Sequence, residues 1–304
     1  MTGSARLLCI GDLGIDHVIR VPRLPGRDEK TGGTLMARGP GGMAANVAVG
    51  ATRLGTRARL VAPTGDDAMG LEAREALARE GVDASHVAVR AGASTFFCVI
   101  LLDESGEKAL VRAEGAAFLP VPSELSPDAF HGIAHAHLIH PEAELFARAR
   151  QLAREVGATL SLDLEEADLP ADDARLAELV RHVDILFLGT GSRAAVERRL
   201  GPIRAREGQM IVTTRGAGGA ELDAGGTCVQ VPGVATGAVD TLGAGDAFAA
   251  AFLHARLAGR APDRALAFAN AAGALATQAY GAQPGMARAD EVDAMLSHAS
   301  RQDA

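Results

Sequence analysis

The sequence predicts an α/β fold: a mostly parallel central sheet covered by helices on both faces, with a small second sheet set beside it as a lid. Three observations carry this. Short apolar runs alternate with longer helical patterns over most of the 304 residues. Two groups of strand-like runs follow one another without a helix between them, and from Gly243 onward the pattern is helical only.

Taken in order, residues 6–11 and 59–62 are apolar runs of strand length, as strands buried on both faces read, with a helical pattern at 43–54 between them. Strands follow at 135–140, 159–163, 184–188 and 209–213, separated by helical stretches at 143–156, 172–180 and 193–200. Such alternation builds a parallel sheet. Residues 16–21 with 32–38, and 87–90 with 95–102 and 108–112, are strand-like without intervening helices and are assigned to the lid. Glu104-Ser105-Gly106-Glu107 reads as a hairpin turn in the second group. Helices at 244–257, 263–278 and 290–298 complete the chain, with Pro262 as a start signal and Gly259 and Gly281 as stops. There is no internal repeat and no low-complexity linker. One catalytic domain over residues 1–304 is expected, with lid strands from about 14–38 and 87–113.

Composition narrows the function. Aromatics are 3% with no Trp, so the core rests on Ala, Val, Leu and Ile, and stacking platforms for bases are scarce. The net charge is −8 and no basic run exceeds Arg198-Arg199, which argues against a nucleic-acid partner. No apolar stretch approaches the ~20 residues that span a bilayer, so no membrane partner is expected. With no secretory leader pattern, the expectation is a cytoplasmic protein. Cys9, Cys98 and Cys228 are then expected as reduced thiols.

The chemistry is concentrated in Asp240-Thr241-Leu242-Gly243-Ala244-Gly245-Asp246. Small residues precede a long helical pattern, so backbone N–H groups at its first turn would attract an anion. Gly243 and Gly245 let a phosphate approach the backbone. Asp246 is out of place beside a phosphate unless its carboxylate takes a proton from an attacking hydroxyl while the amides hold the developing charge. Locally, the alternative is an ordinary helix start with Asp246 complementing the dipole. Upstream, Gly41-Gly42-Met43-Ala44-Ala45-Asn46 opens another helix. Glycines permit close backbone approach, and the Asn46 amide can donate to and accept from hydroxyls. Alternatively Asn46 is a buried polar residue satisfied by backbone.

Both segments, in this order, resemble the two signatures of the ribokinase-like (PfkB) carbohydrate kinases: Asp-Thr-x-Gly-Ala-Gly-Asp, and Gly-Gly-x-x-x-Asn-x-Ala reaching Leu54-Gly55. Further matches are Gly11 to Asp16, Gly65-Asp66-Asp67-Ala68-Met69-Gly70, Thr214-Arg215-Gly216-Ala217-Gly218-Gly219 and Ala269-Asn270-Ala271-Ala272-Gly273. The resemblance implies a ribokinase-like three-layer α/β/α fold and an ATP-dependent kinase acting on a hydroxyl, primary by expectation, of a ketose or pentose. It assigns Asp246 as general base and Gly243, Ala244 and Gly245 to the transferring phosphate. Asp16 (with Asp12 as rival), Gly41, Gly42 and Asn46 go to the sugar, and Thr214, Gly216, Gly219, Asp240, Thr241 and Asn270 to the nucleotide. It also implies Mg2+, a monovalent cation such as K+, and a homodimer formed through the lid.

The chain departs from the family after strand 184–188. Asn-x-x-Glu is expected there to help hold Mg2+, and Gly189-Thr190-Gly191-Ser192 stands in its place. Mg2+ is then assigned to Asp163 and Glu166, with Glu165 beside them. Arg112, in Arg112-Ala113-Glu114-Gly115-Ala116-Ala117, resembles the carboxylate-reading arginine of ketodeoxygluconate kinases. With Lys30 it raises an acidic acceptor, such as a keto-sugar acid or a sulfonated or phosphorylated ketose. The alternative is an arginine paired with Glu114 or Glu107. Two rival functions stand beside the kinase. One is a nicotinamide-dependent oxidoreductase, from the Gly-x-Gly-x-x-Ala patterns at Gly189 and Gly39. The other is a degenerate nucleotide- or sugar-binding sensor. His135, His137 and His140 could suggest a metal site, but on a strand His135 and His137 share a face while His140 points the other way, so a structural role is expected.

Overall fold

The computed structural model describes residues 6–104, 108–140 and 142–302, with side chains to residue 298. Nine strands form the main sheet, in the order β13-β12-β11-β10-β9-β8-β1-β4-β5. They are β1 (Leu7–Ile10), β4 (Ala58–Gly65), β5 (Asp83–Arg90), β8 (His135–Ile139), β9 (Thr159–Asp163), β10 (Ile185–Gly189), β11 (Met210–Thr214), β12 (Ala220–Asp223) and β13 (Cys228–Val231). Pairing is parallel from β5 to β11 and antiparallel through β12 and β13.

Strand β1 explains the two cores. All four of its side chains are fully buried; Leu7 and Cys9 enter one cluster and Leu8 and Ile10 the other, as alternation across a strand requires. The first cluster includes residues of α1 (Met43–Arg53), α6 (Ala244–Leu257) and α7 (Pro262–Ala276). The second includes residues of α3 (Ala143–Val156) and α4 (Asp173–Arg181). Few aromatics are needed because α6 packs against its neighbours through small residues: a Cβ on Gly50 of α1 would lie 2.9 Å from Ala250 Cβ, and one on Gly273 of α7 3.2 Å from the Ala244 carbonyl oxygen. The helices α5 (Thr190–Leu200) and α8 (Ala289–Gln302) complete the two helical layers.

The lid is a four-stranded sheet of β2 (Gly14–Val21), β3 (Thr34–Gly41), β6 (Phe96–Asp103) and β7 (Lys108–Ala113), in the order β3-β2-β6-β7. Its buried face carries Val18, Phe96, Cys98 and Ile100. β6 and β7 pair antiparallel, as a hairpin requires; residues 105–107 of the expected turn lie outside the described residues.

The strand at 87–90 was expected in the lid. It is instead the end of β5, parallel to β4 at the edge of the main sheet. The reason is a helix that the apolar pattern understates: α2 (Ala68–Glu80) lies between β4 and β5 and makes them a β-α-β unit. Asp67 caps it by accepting from Gly70 N–H, and Gly81 ends it in the left-handed conformation. α5 likewise begins at Thr190, ahead of the expected 193, so Gly189-Thr190-Gly191-Ser192 is a helix start.

Candidate active site

Neighbouring strands β1 and β8 are where the sheet changes direction: β4 and β5 follow on one side, β9, β10 and β11 on the other. Ligand crevices form beyond the carboxyl ends of strands at such a point. A cleft of about 730 Å³ lies there, lined by Asp12, Asp163, Gly189 and Thr214 from the strand ends, by Asp246 from α6, and by Phe96, Lys108, Leu110 and Arg112 from the lid.

Asp246 sits in the first turn of α6. Gly243 caps that helix at φ 73°, and a Cβ there would stand 2.6 Å from the Ala282 Cβ, so only glycine fits. Nothing lies within 4 Å of the Cβ position of Gly245, which opens on the cleft. Ala244 is not among the lining residues; its N–H points to Thr241 O at 3.4 Å. Burial pushes the Asp246 carboxyl well above its usual range, the Asn46 hydrogen bond opposes this, and Asp163, Glu165 and Asp12 push the same way as burial. Asn46 Nδ2 donates to Asp246 Oδ2 at 2.8 Å, and Asn46 Oδ1 accepts from Gln283 Nε2 at 3.2 Å. Arg53 fixes the Gln283 turn by donating to the carbonyls of Gln283 and Met286.

Asp16 and its rival Asp12 both line the cleft, in opposite electrostatic states. Burial, then the charges of Asp12 and Asp240, push Asp16 up to about 7. Burial also raises Asp12, but the charge of His140 nearby and the N–H groups of Ala44 and Met43 outweigh it and hold Asp12 low. The glycine pair serves these two carboxylates. A Cβ on Gly41 would lie 2.2 Å from Asp16 Oδ2, and one on Gly42, at φ 97°, 2.7 Å from the Asp12 carbonyl oxygen. Gly42 lines the cleft; Gly41 stands behind Asp16.

Of the residues assigned to the nucleotide, Thr214 and Thr241 line the cleft, and Thr241 Oγ1 accepts from Lys108 Nζ of the lid at 3.3 Å. Asp240 does not line it: its carboxylate accepts from Leu242 N–H and Gly281 N–H, both at 2.9 Å, and so folds the loop that precedes α6. Asn270 is also turned to structure, donating to the carbonyls of Val231 and Pro232. Gly216 and Gly219 bound a single 3-10 turn after β11, where a Cβ on Gly219 would strike the Val231 carbonyl at 2.1 Å.

Among the described residues no three His, Cys, Asp or Glu side chains converge to enclose a metal. Asp163 lines the cleft beside Asp246, and burial and then Glu165 push its carboxyl up to about 7. Glu165 is raised as well, by burial first. Two carboxylates short of countercharge suit a Mg2+ carried mainly by water and phosphate oxygens. Glu166 suits it less, because it edges the cleft with its carboxylate on Arg198 at 3.2 Å.

Arg112 lines the cleft, but two of its nitrogens donate to Asp168, at 2.8 and 3.1 Å, and Nε faces Glu114 at 3.0 Å. The pairing with Glu114 was one reading of the sequence; Asp168 was not foreseen, and Glu107 lies outside the described residues. Lys30 is exposed between β2 and β3, away from the cleft lining. His135 and His137 are buried on β8 against Thr159 and Ser161, and burial lowers both to about 3, so they are neutral. His140 is separate from them and lines the cleft.

The pfkB family carbohydrate kinase model matches residues 4–289. The chain belongs to this family. An ATP-dependent ribose-1-phosphate kinase of Halopiger xanaduensis is 33% identical over 294 residues, covering 96% of this chain and 98% of its own. Two solved structures share the fold. A ribokinase of Cryptococcus neoformans var. grubii with ADP has a TM-score of 0.84 at 22% identity, with 96% of this chain and 99% of that one covered. An Arabidopsis thaliana ribokinase with ribose and ATP has 0.79 at 24%, with the same coverage of 96% and 99%. The protein is therefore a carbohydrate kinase, a phosphotransferase with an alcohol group as acceptor, using ATP. The nicotinamide reading of the glycine patterns falls with this: one opens α5 at the cleft, and the other lies at the end of a lid strand.

Proposed function

We propose that this kinase transfers the γ-phosphate of ATP to a primary hydroxyl of a small neutral sugar, a pentose or ketose. The observation that carries the reading is Asp246, buried at the first turn of α6 and held by Asn46 at 2.8 Å. Its carboxylate takes the hydroxyl proton as that oxygen bonds to the γ-phosphorus. The bond from phosphorus to the bridging oxygen of ADP breaks, and ADP leaves with the electron pair. Backbone N–H groups at Gly243 and Gly245 face the phosphoryl oxygens, where a helix N-terminus favours negative charge. Asp12, Asp16 and Asn46 orient the acceptor. Mg2+, when bound, neutralises phosphate charge, and Asp163 and Glu165 are the residues that would hold its waters.

A phosphorylated sugar is the second reading, favoured by the 33% identical ribose-1-phosphate kinase. Against it, the cation expected to read such a charge, Arg112, is engaged by Asp168 and Glu114. The test is ADP release from Mg-ATP with ribose, fructose, ribose 1-phosphate, nucleosides and ketodeoxygluconate, wild type beside Asp246→Asn. Turnover of a neutral sugar that is lost in the variant supports the first reading. Turnover confined to ribose 1-phosphate replaces it with the second.

A further inference from the structure

His140 is a polar residue of the cleft that no signature assigns. It follows β8 with φ 63°, a left-handed conformation that is costly for any side chain with a Cβ and survives only where the surroundings fix it. Here they do. Nδ1 lies 2.9 Å from Asp168 Oδ2, and the ring meets Phe118 edge-on at 5.1 Å between centroids. Arg112 lies over the same Phe118 and clasps the same Asp168 with two nitrogens. At the other end of the ring, Nε2 is buried without a hydrogen-bond partner, 3.9 Å from Asp12 Oδ2.

We propose that His140 is a positioning residue in a chain Arg112–Asp168–His140–Asp12 that ties the lid to the acceptor pocket, and that Asp12 grips an acceptor hydroxyl at its end. This rests on the neutral-sugar reading above. The gap between His140 Nε2 and Asp12 Oδ2 is too wide for a direct hydrogen bond. One oxygen set to its side can still lie at ~2.8 Å from both atoms. A hydroxyl suits that place, accepting from Nε2–H and donating to the carboxylate; a neutral imidazole or a bare carboxylate alone would satisfy half of it. The Asp12 Oδ1 accepts from Ala44 N–H at 3.0 Å, and Oδ2 is the oxygen that faces His140 Nε2. The chain holds two cations and two carboxylates and needs no charge from the substrate. It also gives Arg112, on lid strand β7, a part in acceptor binding without touching the acceptor.

The experiment is a double-mutant cycle of His140→Gln and Arg112→Gln in the full-length enzyme, with KM measured for acceptor and for ATP. Wild type is run first to identify the acceptor. If it proves to be a phosphorylated sugar, the neutral reading fails there, and the cycle proceeds with that compound as a separate question. Each single variant is expected to raise acceptor KM about 10-fold or more, as loss of a hydrogen bond to a charged group does, with ATP KM within about 2-fold. The double variant should cost no more than the worse single one, because both act through one chain. Additive losses overturn the proposal, as does a lowered melting temperature with unchanged acceptor KM, or an equal rise in both KM values. If His140→Gln does not fold, Arg112→Gln and Asp168→Asn form the same cycle from the lid end.

Discussion

Asn46 on α1 and Asp246 on α6, two hundred positions apart, meet through a single 2.8 Å hydrogen bond from the amide to the carboxylate. The bond couples the two motifs that the sequence singles out separately. It leaves the carboxylate as acceptor and orients it at the cleft, with the amide's own oxygen fixed by Gln283. Asp246→Asn removes the proposed base and keeps the volume. Turnover should fall at least ~10²-fold, in line with general-base losses, while the melting temperature holds or rises. Near-normal ADP release from that variant would end the assignment.

Removing the donor tests the same contact from the other side. Burial already raises the Asp246 carboxyl, and the Asn46 hydrogen bond is what lowers it. In Asn46→Ala the carboxyl rises further, so a larger share is protonated and unable to act as base at a given pH. The acid limb of the kcat–pH profile should therefore move to higher pH, together with a ~10-fold or larger fall in kcat/KM. A limb that stays in place would mean Asp246 does not set it.

How much of this was legible in the residues follows from how local each feature is. The first turn of α6 was readable because small residues before a helix constrain the backbone directly. Asp163 was readable as a strand end, and the main strands as apolar runs. The backbone partners of Asp240 and Asn270 were not readable, for a different reason. A polar residue in a motif can serve the loop that builds a site as well as the ligand, and its loop partners, here Leu242, Gly281, Val231 and Pro232, emerge only from the fold. His140, Asp168 and Gln283 come from three separate loops brought together by the sheet and its helices. No spacing in the chain could have joined them. β5 was misplaced because α2, whose apolar stripe is weak, went unread.

Through Asp16, stability should fall as pH rises from 5 to 8 in the ligand-free protein, against the buried His135 and His137, whose contribution rises with pH up to about 6.5. Asp16 has its folded pKa raised to about 7 by burial and neighbouring charge. A raised carboxyl contributes stability that is complete below its unfolded value, near 4, and lost as pH climbs through 7. His140, raised to about 10, acts in the same direction, with its contribution complete below about 6.5 and lost through 10. Thermal melts of wild type and Asp16→Asn across this range check the sign: the variant should show a shallower decline. An equal or steeper slope would show that Asp16 is not desolvated as described.

Gly41→Ala separates the acceptor side from the nucleotide side. Its Cβ would fall 2.2 Å from Asp16 Oδ2 and 2.3 Å from Cγ, so the carboxylate has to move. Overpacking of this kind costs about 1–3 kcal/mol, and the displaced group lines the cleft where the acceptor is proposed to bind. Acceptor KM should rise about 10-fold or more, with ATP KM within about 2-fold. Equal effects on both substrates would place Asp16 outside the acceptor pocket.

Asp163 and Glu166 differ in what their carboxylates face, so their substitution should change the Mg2+ response differently. Asp163 is half-buried in the cleft and raised to about 7, by desolvation before any charge, so a nearby divalent cation would favour its ionised form. Glu166 is exposed and already paired with Arg198. Asp163→Asn removes a negative charge from the cation's surroundings, and the Mg2+ concentration for half-maximal ADP release should increase several-fold at saturating ATP. Glu166→Gln changes only a surface ion pair, of the kind that contributes ~0–1 kcal/mol, and its Mg2+ titration should overlay that of wild type. The reverse pattern, a shift in Glu166→Gln and none in Asp163→Asn, would move the cation from the end of β9 to the turn that follows it.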